Sequence, residues 1–176
     1  MDMKTSPLAT LADASLLKTN ALINGEWVAG SSRFAVHDPA TGQKLADVAN
    51  LGAAETEAAL KAADKAWPAW RAKTAKERGA ILMKWFALLH QHADDLARIM
   101  TAEQGKPLAE AKGEVGYGAS FLEWFGGEAE RVYGQVVPPM NPVNRVLVLR
   151  QPVGVTAAIT PWNFPMAIPS WKMMPA

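Results

Sequence analysis

A continuous run of small apolar residues, PVGVTAAIT at 152–160, places the strongest constraint on the fold of this chain. Runs without polar alternation are typical of strands that are buried on both faces of a parallel sheet. A parallel strand needs a neighbour, which is reached through a crossover of a dozen or more residues, usually a helix. Residues 161–176 supply only the start of such a helix. The pattern therefore predicts the first part of a larger α/β protein; a complete α+β domain whose hairpins supply the partners is the alternative.

Upstream, the pattern predicts an arm followed by short antiparallel strands. Residues 1–20 are expected to form a weakly ordered arm with one short helical stretch. Asn24-Gly25 lies between two apolar segments, which is typical of a tight hairpin turn. Apolar residues alternate before the turn-forming DPATG at 38–42, which predicts a second hairpin.

Residues 53–133 have the composition and periodicity of helices. Four signals divide this block: Pro68, which should end or kink a helix, the capping box Thr74–Glu77, the C-cap Gly105 and the helix-opening Pro107. The last helix is predicted to run from Leu108 to about Tyr133. A Pro-rich link then joins two short strands, so residues 135–151 are expected to form an extended hairpin. Its exposed edge would invite pairing with another chain, although an ordinary hairpin within one subunit is the alternative.

Composition excludes several classes of function. Lys and Arg number 18 against 17 Asp and Glu, with no basic stripe, so nucleic-acid binding is not expected. There is no cysteine, which excludes disulfides and thiolate metal sites in these residues and is compatible with a cytoplasmic location. The N-terminus lacks the features of a secretion signal, and no apolar run is long enough to span a membrane.

Other polar and glycine positions fit structural roles. His90 and His92 point apart on a predicted helix, so no metal site is expected. Glu103 and Gln104 are assigned to a packed helix end. Two further sets are interpreted in the same way: Glu110, Glu114 and Glu123 as solvent-exposed helix positions, and Gly113, Gly116 and Gly118 as sites of close helix packing rather than a phosphate loop.

The stretch TPWNFP at 160–165 is the best candidate for chemistry. Pro161 fixes its own φ and Pro165 restricts the preceding residue to extended geometry, which stiffens the loop. Such a loop at the carboxyl end of a buried strand is where open α/β sheets bind ligands. The amide of Asn163 could donate to a developing oxyanion there. The alternative is a structural turn in which Asn163 only satisfies nearby backbone groups.

The segment AITPWNFP resembles the strand and loop motif of the aldehyde dehydrogenase superfamily, which are NAD(P)-dependent enzymes with a catalytic cysteine. The likeness runs from about Ala21 to the end of the chain and includes LINGEW, DPATG, AWPAWRAKTAKERGAIL, EQGKPLAEAKGEV and VYG. It implies an α/β fold: a helical block, the start of a Rossmann-like parallel sheet, and a β-hairpin arm for oligomerisation. The implied parts are an N-terminal arm (1–20), the N-terminal part of a dinucleotide-binding domain (21–134), the oligomerisation hairpin (135–151), and the first strand, loop and helix start of the cofactor-binding sheet (152–176).

The resemblance also implies site residues. Those expected along the cofactor, NAD or NADP, are Ile159, Thr160, Pro161, Trp162 and Asn163. Asn163 would donate to the thiohemiacetal oxygen formed when a thiolate attacks a small aldehyde; hydride then leaves to the nicotinamide, and a glutamate-activated water hydrolyses the thioester. The family's cysteine and glutamate lie beyond residue 176, so this chain alone is expected to be inactive. The full-length protein is expected to be a homodimer or homotetramer.

Within the superfamily, TAEQGKPLAEAKGEVGYGASFLEWF is most similar to succinate-semialdehyde dehydrogenases. In those enzymes an arginine that helps to bind the substrate carboxylate follows the loop, and Trp171 takes its place here. An indole offers one N–H and no charge, and Lys172 lies one helical position further round. Succinate semialdehyde or a related semialdehyde is the expected substrate. The alternatives are an uncharged aldehyde, or a non-catalytic truncated chain that acts only as an oligomerisation module.

Overall fold

Helices supply most of the regular secondary structure. The structure is a computed structural model, and it describes residues 7–176. The strands are β1 (Ala21–Ile23), β2 (Glu26–Val28), β3 (Ser32–His37), β4 (Lys44–Asn50), β5 (Gln135–Val137) and β6 (Val146–Val148). The helices are α1 (Ala53–Arg71), α2 (Ala75–Gln91), α3 (Ala93–Gln104), α4 (Leu108–Glu128) and α5 (Ala167–Met173). Short 3-10 turns cover Pro7–Thr10, Ala14–Leu16 and Ala129–Arg131. Each helix of residues 7–176 is too short or too polar to serve as a membrane span.

The six strands form three separate antiparallel hairpins, β1–β2, β3–β4 and β5–β6. The first turns at Asn24 and Gly25, whose φ angles of 53° and 82° are those of a type I′ turn. The predicted antiparallel hairpins before α1 are therefore confirmed, and so is the pairing of the two strands within residues 135–151.

The predicted strand at 152–160 is wrong as a description of this structure. Residues 151–160 carry no strand assignment, and most of them are exposed, Ile159 by 93%. A strand exists only through hydrogen bonds to a neighbour, and residues 7–176 contain no parallel strand to provide them. The segment is apolar in composition, but nothing in the described residues covers it.

The helix boundaries follow the sequence signals closely. Thr74 Oγ1 accepts from the Glu77 amide at 3.3 Å, and the Glu77 carboxylate accepts from the Thr74 amide at 2.7 Å, which confirms the capping box. Gly105 ends α3 with φ 78°. Two boundaries differ: α1 continues three residues past Pro68, since one missing N–H near the last turn is tolerated, and the fourth helix stops at Glu128.

The buried core lies where α4 packs against α2, α3 and α5. One cluster contains Leu89, Ala119, Leu122 and Met174, and the other contains Ala97, Met100, Ala111 and Val115. Met166, which precedes α5, packs against both clusters. Apolar contacts of Met166 therefore hold the loop before α5 against the helical block.

Helices α2 and α4 approach each other closely at a pair of glycines. A Cβ on Gly79 would lie 2.6 Å from the Gly126 carbonyl oxygen, which is closer than real contacts permit. Gly118 is similar, because its Cβ would lie 2.9 Å from Met166 Cγ. The expectation of close packing is confirmed for Gly118 but is wrong for Gly113 and Gly116, which have no atom within 4 Å of such a Cβ.

The part of the N-terminal arm that the structure describes is attached to α3. The Ala12 and Asp13 amides donate to the two carboxylate oxygens of Asp95 at 3.0 and 2.8 Å, and Arg98 donates to the Thr10 carbonyl. These amide hydrogen bonds are the main reason that the pKa of Asp95 lies below its ordinary value. Residues 7–20 contain two 3-10 turns where the sequence predicted one short helical stretch. The expected weak order of the arm stays a prediction, and residues 1–6 lie outside the described part.

The Gly79 contact predicts an asymmetric response to alanine. Gly79→Ala should lower stability by about 1–3 kcal/mol, because the added methyl meets backbone that cannot rotate away. Gly113→Ala is the matched control: it also sits inside a helix, and it should be neutral or stabilising by up to about 1 kcal/mol. Melting temperatures of the two variants test this, and equal changes would contradict the close approach.

The Asp95 carboxylate predicts acid-sensitive attachment of the arm. Because its folded-state pKa is lowered from 3.8, the stabilisation is present above that value and is lost as pH falls through the folded-state pKa. Wild type should therefore melt above Asp95→Asn at about pH 6, and the difference should shrink below about pH 4. Asp64→Asn, at an exposed position of α1, is the control. A difference that does not vary with pH would contradict the prediction.

Candidate active site

The loop at 161–166 connects the extended segment 151–160 to α5. Asn163 lies in its middle and is exposed, between Trp162, which is 79% exposed, and Phe164. Among the hydrogen bonds found within residues 7–176, none is made by the Asn163 side-chain amide. The described residues therefore leave this amide without a hydrogen-bond partner, and its role as an oxyanion donor stays a prediction.

Two side chains beside the end of α3 hold the loop by its carbonyl groups. Gln104 Nε2 donates to the Trp162 carbonyl at 2.7 Å, and Lys106 Nζ donates to the Asn163 carbonyl at 3.0 Å. Gly105 separates them in the left-handed conformation, so the chain turns sharply and both side chains reach the same loop. The first and last residues of the local sequence QGK thus bind the carbonyls of two consecutive loop residues.

Glu114 is buried beneath the loop. Its side chain is 1% exposed and pairs with Lys106, whose side chain is 13% exposed. The other carboxylate oxygen accepts from the Met166 and Ala167 amides at 2.9 and 3.2 Å. The prediction that Glu114 is solvent-exposed is wrong. It lies three residues after Ala111 and four before Gly118, on the buried face of α4, and this spacing was the available signal.

The Lys106 ammonium makes three different contacts. Besides the Glu114 carboxylate and the Asn163 carbonyl, it lies 4.2 Å from the centre of the Phe164 ring. A cation over an aromatic face is attracted by the ring's quadrupole. One side chain therefore contacts two consecutive loop residues and a buried carboxylate.

Glu103 and Gln104, which the sequence places together, face different neighbours. Gln104 contacts the loop, whereas Glu103 lines a small cavity of about 40 Å³ with residues of the N-terminal arm and of β3 and β4. Glu103 is exposed as a residue, and partial loss of water on its cavity side raises the pKa of its carboxyl above the ordinary value. Only Gln104 therefore belongs to the candidate site.

Three aromatic rings lie together on α4 and α5. Trp171 meets Tyr117 and Phe121 edge to face, with ring centres 6.2 and 5.8 Å apart, and Tyr117 and Phe121 are 5.0 Å apart. Trp171 and Tyr117 remain partly exposed, by 36% and 51%. The position where an arginine is expected in a succinate-semialdehyde dehydrogenase is thus part of an apolar aromatic surface.

The residues expected along a dinucleotide, Ile159 to Trp162, form an extended and mostly exposed run that leads to Asn163. Their role stays a prediction. The run fits such a ligand, because Ile159 and Trp162 present apolar side chains to solvent where a nucleotide could cover them. Within residues 7–176, no three His, Cys, Asp or Glu side chains are grouped so that they could hold a metal ion.

Comparisons with known proteins concern the chain as a whole. The model of the aldehyde dehydrogenase family matches residues 27–176. Glutarate-semialdehyde dehydrogenase of Pseudomonas putida is 56% identical over 94% of this chain, and the NADP⁺-dependent succinate-semialdehyde dehydrogenase of Escherichia coli is 55% identical over the same share. A crystal structure of an Escherichia coli NADP-dependent enzyme superposes with a TM-score of 0.90 at 55% identity and covers 92% of this chain. The chain spans 35% of the length of both relatives and 34% of that structure.

Proposed function

The chain belongs to the aldehyde dehydrogenase family, and we propose that it is the N-terminal part of an enzyme that oxidises an aldehyde to a carboxylate with NAD⁺ or NADP⁺. The observation that carries this proposal is an exposed Asn163 on a loop whose carbonyls at Trp162 and Asn163 are bound by Gln104 and Lys106. A fixed neutral donor of this kind suits an oxygen that gains negative charge during the reaction.

In the proposed reaction a cysteine thiolate from outside these residues attacks the aldehyde carbon. The carbonyl electron pair moves to oxygen, and Asn163 donates a hydrogen bond to that oxygen. When bound, the nicotinamide supplies the hydride acceptor for the next step. Ile159, Thr160, Pro161 and Trp162 would line one side of the dinucleotide. Loss of the hydride leaves a thioester on the cysteine, and water then cleaves its carbon–sulfur bond, which releases the carboxylate and the thiolate. Without the cysteine, the 176 residues alone would have no turnover.

The proposed substrate is succinate semialdehyde or a related semialdehyde. The names of the two relatives support this choice, since each acts on a semialdehyde that carries a terminal carboxylate. Trp171 favours a second candidate, an uncharged aldehyde, because an aromatic surface cannot form the paired hydrogen bonds that a guanidinium offers a carboxylate.

We further propose that the hairpin β5–β6 joins subunits into a dimer or tetramer in the cytoplasm. Both strands are exposed along their whole length, which suits an arm that pairs with a second copy. A chain that acts only through this hairpin, without catalysis, is the remaining alternative. Deletion of the hairpin from the complete protein should abolish the dimer or tetramer, as measured by sedimentation. An unchanged sedimentation profile would contradict the role of the hairpin in association.

Removing the Asn163 amide should slow the reaction. In the complete enzyme, Asn163→Ala should lower kcat about 100- to 1000-fold, because one oxyanion donor is worth about 2.7–4 kcal/mol. Dissociation constants for NAD⁺ and NADP⁺ should change far less. Gln91→Ala, which removes an exposed amide at the end of α2, is the control. Equally small effects of both variants on kcat would contradict the proposal.

Restoring a guanidinium at position 171 should change substrate preference. Trp171→Arg should raise kcat/KM for succinate semialdehyde relative to butanal by about tenfold or more, since a charged hydrogen bond contributes about 1.5–3 kcal/mol. Lys172→Arg is the matched control, because it places the same group one position further round the helix. If both variants shift the ratio equally, position 171 does not contact the substrate carboxylate.

A further inference from the structure

Three side chains from one corner of the helical block bind three backbone groups of the loop and the first amide of α5. Gln104 and Lys106 bind the carbonyls of Trp162 and Asn163, and Glu114 binds the amides of Met166 and Ala167. The binding residues are more than fifty positions away in sequence from the groups they bind. We name Gln104, Lys106 and Glu114 the loop clamp.

The ion pair within the loop clamp calls for an explanation beyond stability. Lys106 and Glu114 are almost completely removed from water, and they are joined to each other and to the loop. Buried pairs are often no more stabilising than apolar residues of similar volume, since two charges must lose their hydration. Unlike an apolar pair, this ion pair makes directional hydrogen bonds. Glu114 accepts from two amides, and Lys106 donates to one carbonyl.

One of these directional hydrogen bonds is made to Asn163, the residue expected to contact the substrate. Lys106 binds the carbonyl of Asn163 itself and lies 4.2 Å from the ring centre of Phe164, while Asn163 remains exposed. A hydrogen-bond donor helps most when it needs no reorganisation as charge develops. A small displacement of such a group can cost about 100-fold in rate.

We infer that the loop clamp positions Asn163 for the reaction by fixing the backbone of residues 162–167. Its members are positioning residues, because each acts through the loop and none touches the expected substrate. The inference rests on the proposed function, since its kinetic consequence requires that Asn163 takes part in the reaction.

Two variants of the complete enzyme test the inference. Gln104→Met removes one donor without leaving a buried charge unpaired. Lys106→Met combined with Glu114→Gln removes both charges together and replaces the carboxylate by a neutral amide oxygen, which binds the Met166 and Ala167 amides more weakly. The matched control is Lys112→Met with Asp94→Asn, which removes an exposed ion pair between α4 and α3, with 2.7 Å between Nζ and Oδ1. This pair makes no contact with the loop.

Each clamp variant should lower kcat about tenfold or more while the aldehyde KM changes less than about threefold. In the Asn163→Ala background the same changes should have almost no further effect on kcat, since residues that act through one group are not additive. The control should leave kcat unchanged in both backgrounds. If kcat is unaffected, or if it falls by the same factor with and without Asn163, the inference is overturned and the clamp is only structural. Gln104→Met decides the question if the double variant does not fold.

Amide hydrogen exchange separates this inference from the proposed function. Exchange at Met166 and Ala167 should accelerate more than about tenfold in the Lys106→Met and Glu114→Gln double variant and stay unchanged in the control. If Asn163→Ala alone leaves kcat unchanged, the proposed function fails, but faster exchange still supports fixation of the loop. Unchanged exchange at both amides overturns the inference whatever the kinetics show.

Discussion

The buried carboxylate of Glu114 is the interaction on which the candidate site depends. It accepts from Lys106 and from the first amides of α5, so it joins the end of α3, the middle of α4 and the loop in one network. Removing one partner of a buried ion pair costs about 3–5 kcal/mol, because the other charge is left unpaired. The network therefore tolerates few intermediate arrangements, and the loop has one preferred place on the helical block.

Local signals in the sequence predicted the elements that close within a few residues. The turn at Asn24 and Gly25, the capping box at Thr74 and the left-handed cap at Gly105 are each determined by one or two residues and their own backbone. These features do not depend on distant partners, and the structure contains them where the sequence placed them.

Features that depend on distant partners were harder to predict. The strand at 152–160 failed because strand formation needs a neighbour that residues 7–176 do not contain. Glu114 was assigned to the surface because a glutamate in a helix is usually solvated, and its partners Lys106 and Met166 are brought to it only by folding. Its place on the apolar face of α4 was visible in the sequence. The identity of its partners was not.

The two misjudged features together explain how the loop can be in place while the segment before it is unpaired. The position of the loop does not depend on residues 151–160. Gln104 and Lys106 bind its carbonyls, and Glu114 binds its last amide. The Met166 side chain packs against both core clusters. Position is thus supplied by the helices, and the apolar segment remains exposed and able to join a sheet. Contacts with the helical block therefore hold the loop that carries the candidate oxyanion donor, and they do so without a parallel sheet.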